Sequence, residues 1–226
     1  MPDGSTIALL SIVAGLLALD MTEALQIMVS QPVVAGSIAG ALVGDVPLGL
    51  AVGATLQLVW LGVLPVGGAP FPDSAVASVV GVGLAALLAR GGAGAGWALA
   101  LGLLVAIATG AIGGRLVGLL RRLNARLSAL AESRAERGDA GGVRTAVLLG
   151  LSCRFASSTA LTAVVLAASL AVLRGVRGLD GVTQFPTLVW AAPVAAVGIL
   201  MRGKGRLEIS LLSAGFVAGL ASVLMR

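Results

Sequence analysis

Long apolar runs that are interrupted by glycine and proline, rather than by charged residues, constrain this chain more than any other feature. Hydrophobic residues occupy 58% of its 226 positions and there are 33 glycines, whereas only 11% of the residues are charged. Soluble domains carry about 25% charged residues, so this chain has too few charges to cover a surface that faces water. Since a membrane-spanning helix needs about 20 mostly apolar residues, the pattern predicts an all-α, polytopic integral membrane protein.

The charged residues are concentrated in two regions of the chain. Nine of the 24 residues between 121 and 144 are charged, and a second basic cluster comprises Arg202, Lys204 and Arg206. Excess lysine and arginine in short loops marks the cytoplasmic side of a membrane protein. We therefore expect a cytoplasmic charged loop at 121–144 within a single membrane-embedded domain that covers residues 1–226. Because Leu123, Leu127 and Leu130 recur at helical spacing, part of this loop is expected to be a surface-lying amphipathic helix. Because these clusters flank apolar runs and form no continuous basic face, we expect no nucleic-acid partner.

The spacing of the interruptions predicts six to eight membrane segments. The apolar run Ser5–Leu19 lacks a preceding basic region, which favours a retained first helix over a cleaved signal peptide. Further apolar runs occupy residues 24–44, 50–64, 74–89, 97–120, 155–173, 185–201 and 207–224. If the charged loop is inside, alternation of the segments places the glycine run at 91–96 on the outside.

The stretch from Leu48 to Asp73 contains too many helix breakers for one straight helix. Prolines and glycines cluster between Pro65 and Pro72, and such clusters mark turns or loops. Irregular backbone at membrane depth is tolerated only where protein or a water-filled cavity satisfies its polar groups. We therefore expect a re-entrant hairpin whose tip lies near a solvent-accessible cavity.

Polar residues in this predicted hairpin are the candidates for solute binding, because polar and ionisable side chains in a membrane are costly unless they are paired or hydrated. Gln57 stands among apolar neighbours with Thr55 close by, and an amide both donates to and accepts from hydroxyl groups. Gly67 and Gly68 would let the backbone approach a ligand closely. Asp73 has two interpretations: it contacts a ligand, or it caps the following helix.

Other polar residues have structural interpretations. Arg154 is expected to extend to the cytoplasmic interface, Cys153 to pack as a small hydrophobic residue, and Asp45 to be a solvated turn carboxylate. The chain has no histidine and one cysteine, so we expect neither a metal site nor a cofactor. Histidine and cysteine-histidine catalysis are excluded, and no catalytic residue can be assigned in this chain.

Two stretches of the sequence follow the pattern of a known family. The first runs from Gln31-Pro32-Val33-Val34-Ala35-Gly36 through Gly53-Ala54-Thr55-Leu56-Gln57-Leu58 to Gly67-Gly68-Ala69-Pro70-Phe71-Pro72-Asp73. The second includes Ala135-Glu136-Arg137-Gly138-Asp139 and Arg154-Phe155. These stretches resemble the IIC component of the mannose/fructose/sorbose family of the phosphoenolpyruvate-dependent sugar phosphotransferase system.

The resemblance implies a permease subunit of the bacterial cytoplasmic (inner) membrane that binds a hexose-like sugar and releases it inwards as a partner IIB domain phosphorylates it. It also implies a companion IID membrane subunit, and hence a hetero-oligomer within the lipid bilayer. By the same resemblance, Gln57, Asp73 and the Gly67-Gly68 turn would form the sugar site. Two alternatives stay open: a small-solute carrier that works without partners, and a non-transporting regulatory subunit that resembles IIC.

Overall fold

Six α-helices form the part of the chain that a computed structural model describes, residues 4–63 and 71–175. They are α1 (Gly4–Leu19), α2 (Pro32–Val43), α3 (Val46–Val59), α4 (Ser74–Arg90), α5 (Ala95–Glu136) and α6 (Ala140–Gly175). The all-α prediction is confirmed for these residues. Gly67, Gly68 and the predicted segments at 185–201 and 207–224 lie outside the described residues.

Helix α4 forms the centre of the bundle. Every residue from Ser74 to Leu88 is buried, and α4 contacts each of the other five helices. A helix that is apolar on all sides is typical of a buried core element, and the valine- and alanine-rich sequence of α4 has this character. The other helices therefore surround α4 and present their outer faces to the surroundings.

A tight hairpin is formed by α2 and α3, whose backbones pack through glycines. A methyl group on Gly36 would lie 2.6 Å from the carbonyl oxygen of Gly49, and one on Gly53 would lie 2.5 Å from the carbonyl oxygen of Pro32. Small residues spaced four apart allow helices in membranes to approach this closely. The two helices therefore form one closely packed unit of the fold.

The turn between α2 and α3 uses the residues that its geometry requires. Gly44 ends α2 with φ of 77°, a left-handed conformation that favours glycine. The Asp45 carboxylate then accepts a hydrogen bond from the Leu48 backbone N–H at 2.9 Å and caps α3. Asp45 is exposed, which confirms its interpretation as a solvated turn carboxylate.

Helices α5 and α6 are the longest elements, with 42 and 36 residues. Each contains an apolar stretch long enough to cross a membrane, whereas the other four helices of the described part are shorter. At 1.5 Å per residue α5 is about 63 Å long, roughly twice the thickness of the 30 Å hydrocarbon core of a bilayer. Its charged C-terminal portion therefore extends beyond its apolar portion.

The predicted charged loop at 121–144 is helical over most of its length. Helix α5 continues to Glu136 and α6 begins at Ala140, so the irregular backbone is confined to residues 137–139. Alanine, leucine, arginine and glutamate predominate from 121 to 136, and all four are good helix formers. Charge in this segment therefore does not end the helix, and its cytoplasmic location stays a prediction.

Asp139 stabilises the short turn between these two helices. Its carboxylate accepts hydrogen bonds from the Gly142 backbone N–H at 2.9 Å and from Nη1 of Arg134 at 3.0 Å. These two donors hold the pKa of Asp139 below its ordinary value, and the Gly142 N–H has the larger effect.

The predicted re-entrant hairpin at 48–73 contains helical and irregular parts. Residues 48–59 belong to α3, and residues 71–73 lead directly into α4. The segment at 64–70, which contains most of the predicted helix breakers, lies outside the described residues. How deeply this hairpin enters a membrane stays a prediction.

Candidate functional site

The interior of the bundle contains a buried arginine that joins four parts of the chain. Arg154 on α6 is only 2% exposed. Its Nη1 donates to Oδ2 of Asp73 at 2.8 Å and to Oγ of Ser158 at 2.9 Å, and its Nη2 donates to the carbonyl oxygen of Ala18 at 3.4 Å. Its Nε lies 3.6 Å from Oε1 of Glu23. The interpretation that Arg154 reaches the membrane interface is therefore wrong, because two carboxylates hold it inside the protein.

Asp73 has a structural role at the start of α4. Its carboxylate accepts a hydrogen bond from the Val76 backbone N–H at 3.3 Å, so it is the N-cap of this helix. Its own backbone N–H donates to the Gly110 carbonyl on α5 at 2.9 Å. A methyl group on Gly113 would lie 2.6 Å from the Cβ of Asp73. The capping interpretation is confirmed, and the same carboxylate also pairs with Arg154.

The irregular segment between α1 and α2 is organised by one buried carboxylate. Asp20 accepts hydrogen bonds from the Ile27 N–H at 2.6 Å and from the Ser30 N–H and hydroxyl, both at 3.0 Å. The segment also contains three non-glycine residues with positive φ, namely Leu25, Gln26 and Met28. Such conformations persist only where surrounding interactions enforce them, and the Asp20 hydrogen bonds provide such interactions.

A cavity of about 540 Å³ lies beside this segment. Its wall is completed by the beginning of α2, the end of α3 and the chain before α4. We call it the glutamine cavity because it is lined by Gln26, Gln31 and Gln57. Trp60 and Phe71 contribute apolar surface. A pocket of this volume falls within the range of about 300–1,000 Å³ typical of small-molecule sites.

Two of these glutamines are hydrogen-bonded to each other across the α2–α3 hairpin. Nε2 of Gln57 donates to Oε1 of Gln31 at 2.9 Å, and Oε1 of Gln57 accepts from the Val33 backbone N–H at 3.5 Å. Gln57 thereby caps the N-terminus of α2, where Gln31 itself makes no capping hydrogen bond with its side chain. Each amide has more donor and acceptor positions than these bonds use, so the pair has hydrogen-bonding capacity left for a solute.

The predicted site residues take different positions relative to the glutamine cavity. Gln57 lines it. Asp73 stands between Pro72 and Ser74, which both line it, while the Asp73 carboxylate pairs with Arg154. The cavity and the ion pair are therefore adjacent parts of one region.

Thr55 and the glycine pair are not brought into this region by the described residues. The Thr55 hydroxyl donates to the Ala51 carbonyl at 2.8 Å within α3, and Thr55 is not among the residues that line the cavity. Gly67 and Gly68 belong to the segment outside the described residues. Their roles at a site stay predictions.

Three features of this region were not identified from the sequence as parts of a site. They are the buried Asp20, the ion pairs that Arg154 forms, and the α5 glycines that contact residues 71–73. Gly110 accepts the hydrogen bond of the Asp73 N–H, and Gly113 and Gly114 pack closely against these residues. One signal was present in the sequence: an arginine followed closely by Ser157, Ser158 and Thr159 within an apolar run. A buried arginine needs hydrogen-bond partners, and the hydroxyl of Ser158 in this run is one of them.

Together, the helical bundle, the apolar lengths of α5 and α6, and the polar cavity beside a buried ion pair are typical of an α-helical membrane protein with an internal polar site. Comparisons with known proteins agree with this class. The family model described as "PTS system sorbose-specific iic component" matches residues 5–202. A chain from the cryo-EM structure of the mannose transporter ManYZ with microcin E492 (MceA) has a TM-score of 0.62 at 19% identity, over 100% of this chain and 94% of that chain.

Two relatives carry names of the same kind. The fructose permease IIC component of Bacillus subtilis (strain 168) is 32% identical over 113 residues, which are 50% of this chain and 39% of that protein. The mannose-specific EIIC component of Escherichia coli (strain K12) is 25% identical over 187 residues, which are 83% of this chain and 66% of that protein. This chain thus spans less than two thirds of the length of these curated relatives.

The chain belongs to the sorbose-specific IIC component family of the phosphotransferase system. The members of this family are sugar permease components of that system. The resemblance noted from the sequence is thereby confirmed, and the chain is a membrane protein.

Proposed function

We propose that this chain is the sugar-translocating IIC subunit of a phosphoenolpyruvate-dependent phosphotransferase system. It crosses the bacterial inner membrane six to eight times and includes a re-entrant hairpin at 48–73. The observation that carries the proposal is the hydrogen-bonded pair of Gln31 and Gln57 in the wall of a 540 Å³ cavity.

A sugar is the solute whose chemistry matches this wall. Every sugar hydroxyl donates and accepts a hydrogen bond, and so does every amide. Gln31 and Gln57 supply both functions from adjacent positions, and Trp60 supplies an apolar face of the kind that sugar rings stack on. The proposed site consists of Gln57 and Asp73 with Thr55, Gly67 and Gly68, of which the last three rest on the sequence pattern alone.

Asp73 and Arg154 act in this proposal mainly as positioning residues. Asp73 stands between two residues of the cavity wall, and its carboxylate is 2.8 Å from Nη1 of Arg154. This ion pair fixes the start of α4 and therefore the wall formed by Pro72 and Ser74. A shift of Asp73 would therefore alter the shape of the cavity in addition to moving Asp73 itself.

The phosphorylation step belongs to a partner in this proposal. The chain has no histidine, and the family resemblance assigns phosphoryl transfer to a IIB domain. A IID membrane subunit would complete the hetero-oligomer in the bilayer. The finding that this chain belongs to the IIC family supports both partners.

The test is a Gln57→Leu substitution in the complex reconstituted with IID and IIB. Leucine has a similar size but cannot form the amide hydrogen bonds. Losing one or two hydrogen bonds of about 0.5–1.5 kcal/mol each should weaken binding of D-mannose or D-fructose roughly tenfold. The measurements are the sugar-dependent shift in melting temperature and phosphoenolpyruvate-dependent uptake of the radiolabelled sugars.

Ser37→Ala is the matched control, because Ser37 lies on α2 and its hydroxyl donates to the Val33 carbonyl at 2.7 Å, outside the cavity wall. Wild-type affinity and uptake are expected for this control. Unchanged uptake in the Gln57→Leu complex would refute the site. Uptake by the purified chain without partners would instead favour an independent carrier, and intact partner binding without any sugar response would favour a regulatory subunit.

A further inference from the structure

The chain between α1 and α2 supplies part of the wall of the glutamine cavity. We call residues 25–30 the 25–30 loop, and three of its members, Gln26, Met28 and Ser30, line the cavity. Gln26 and Met28 are exposed, so a solute that enters the cavity can reach their side chains. The Gln26 amide donates to the carbonyl oxygen of Thr22 at 3.3 Å, and an amide has further donor and acceptor positions.

The backbone of this loop has a conformation that its own residues disfavour. Leu25, Gln26 and Met28 have φ of 67°, 52° and 69°, a region that residues other than glycine rarely adopt. Packing within the chain contributes little to these angles, because Leu25, Ile27 and Met28 are 80%, 66% and 69% exposed. Such a conformation persists only where other interactions enforce it, so the loop needs an anchor.

The anchor is the Asp20 carboxylate, which binds the loop on both sides of Met28. Its Oδ1 accepts a hydrogen bond from the Ile27 N–H at 2.6 Å, and its Oδ2 accepts from the N–H and the hydroxyl of Ser30, both at 3.0 Å. Asp20 directly follows α1 and is only 3% exposed. Because the carboxylate is buried and both of its oxygens accept from the loop, it acts on the loop and not on a solute.

The anchored loop is also joined to the start of α4. The Ser74 hydroxyl donates to the Ser30 carbonyl oxygen at 3.3 Å, and Ser74 lines the same cavity. The loop is therefore held between the end of α1 and the start of α4. Arg154 connects the same two places through the Ala18 carbonyl and Asp73.

We propose that Asp20 is a positioning residue of the sugar site, which raises the affinity for the solute by holding Gln26 and Met28 in the cavity wall. Groups that are ordered before binding cost no binding free energy to order. Without the carboxylate the loop relaxes towards ordinary φ values, and binding has to restore its conformation. This inference rests on the proposed function and adds the Gln26 amide to those of Gln31 and Gln57.

The first test is Asp20→Asn in the complex with IID and IIB. The two side chains have the same shape, but the amide replaces one acceptor oxygen with an N–H donor, so it cannot accept all three hydrogen bonds. Uptake is measured over a range of D-mannose or D-fructose concentrations. KM is expected to rise about tenfold, the effect of one or two lost hydrogen bonds. The maximal rate is expected to stay at the wild-type value, because only binding is weakened.

Asp45→Asn is the matched control. The Asp45 carboxylate also accepts a backbone N–H, but it caps α3 at an exposed position outside the cavity wall. Its KM should equal that of the wild type. In Asp20→Asn, a lower maximal rate at unchanged KM would overturn the proposal, because a purely structural role changes the amount of active complex and not its affinity. Wild-type values of both quantities would also overturn it.

Ser30→Ala takes the place of Asp20→Asn if that variant does not fold. It removes one of the three donors and keeps the backbone N–H, and Ser30 is only 5% exposed. KM is expected to rise about threefold for the single lost hydrogen bond, again at constant maximal rate. An unchanged KM would overturn the proposal.

Cysteine labelling tests the position of the loop independently of Asp20. Cys153, the chain's single cysteine, is replaced by alanine, and Met28→Cys is labelled with a thiol reagent in the complex. D-mannose or D-fructose is expected to slow this labelling. Leu25→Cys, exposed on the same loop but outside the cavity wall, should be labelled at the same rate with and without sugar. Equal labelling of Met28→Cys in both conditions would overturn the proposal.

The inference and the proposed function fail in different ways. If Gln57→Leu weakens sugar binding but Asp20→Asn and Ser30→Ala do not, the role of Asp20 is refuted and the proposed function stands. If the wild-type complex shows no saturable sugar uptake, the proposed function fails and the inference fails with it.

Discussion

At the scale of single residues, Arg154 has the largest structural consequences. It is among the largest fully buried side chains of the described residues, and removing a charge of this kind from water is expensive. The cost is offset by Asp73, Ser158 and the Ala18 carbonyl, which together accept three hydrogen bonds. Because these partners lie on different elements, a single side chain connects α6 with α1 and with the start of α4.

Replacing Arg154 should strongly destabilise the protein. Arg154→Met leaves the buried Asp73 carboxylate without its partner, and breaking a buried ion pair in this way costs about 3–5 kcal/mol. The free energy of unfolding, measured by denaturant in detergent, should fall by that amount. Arg137→Met, at an exposed position in the α5–α6 turn, is the control and should change stability little.

A double variant distinguishes two causes of the stability loss, an unpaired buried charge and lost packing. Arg154→Met combined with Asp73→Leu leaves no unpaired charge, so it should be less destabilised than the sum of the two single variants. Simple additivity of the two losses would show that the ion pair is not the cause.

The sequence predicted some of these residues and not others, and the reason is physical. The capping role of Asp73 depends on a hydrogen bond from the Val76 N–H, only three positions away. Such a short separation can be recognised as a local sequence pattern. The partner of Arg154 is 81 positions away in the sequence, so no local pattern indicates it. Gln57 could be singled out because an amide in an apolar helix needs a partner, but its partner Gln31 was not predictable from spacing.

At the scale of elements, glycine packing determines the geometry of the α2–α3 hairpin. Gly36→Ala would place a methyl group 2.6 Å from the Gly49 carbonyl oxygen and 2.9 Å from the Gly53 Cα. Backbone atoms cannot move aside as a flexible side chain does, so overpacking should cost about 1–3 kcal/mol. Thermal unfolding in detergent measures this loss.

The same substitution at an open position should have the opposite sign. Gly118 on α5 has no neighbouring atom within 4 Å of the place that a methyl group would take, and alanine is a better helix former than glycine by about 1 kcal/mol. Gly118→Ala should therefore be neutral or stabilising. A stability loss of equal size at both glycines would mean that the hairpin contact does not explain the loss at Gly36.

Element types were more predictable than element ends. The apolar run Ser5–Leu19 predicted α1, which spans Gly4–Leu19, because apolar length alone specifies such a helix. The same reasoning was incomplete after residue 120, where a charged loop with only part of it helical was expected in place of a continuous helix. Helix propensity does not depend on hydropathy, so α5 continues to Glu136 as an amphipathic extension.

At the scale of the whole molecule, α5 sets the relation between the two ends of the bundle. Its N-terminus follows the glycine-rich turn at 91–94, and its C-terminus leads into the charged turn at 137–139. The helix is about 63 Å long, so these turns lie on opposite sides of a bilayer if α5 crosses it. The predicted sidedness places the charged turn in the cytoplasm.

Cysteine labelling in intact cells tests this arrangement. Ala135→Cys and Ala95→Cys, both at exposed positions near opposite ends of α5, are made in a Cys153→Ala background. A membrane-impermeant thiol reagent should label Ala95→Cys from outside, whereas Ala135→Cys should be labelled only after the membrane is opened, because the basic residues around it favour retention on the cytoplasmic side. Labelling of Ala135→Cys alone in intact cells would invert the predicted topology. Labelling of both variants would mean that α5 does not separate two compartments.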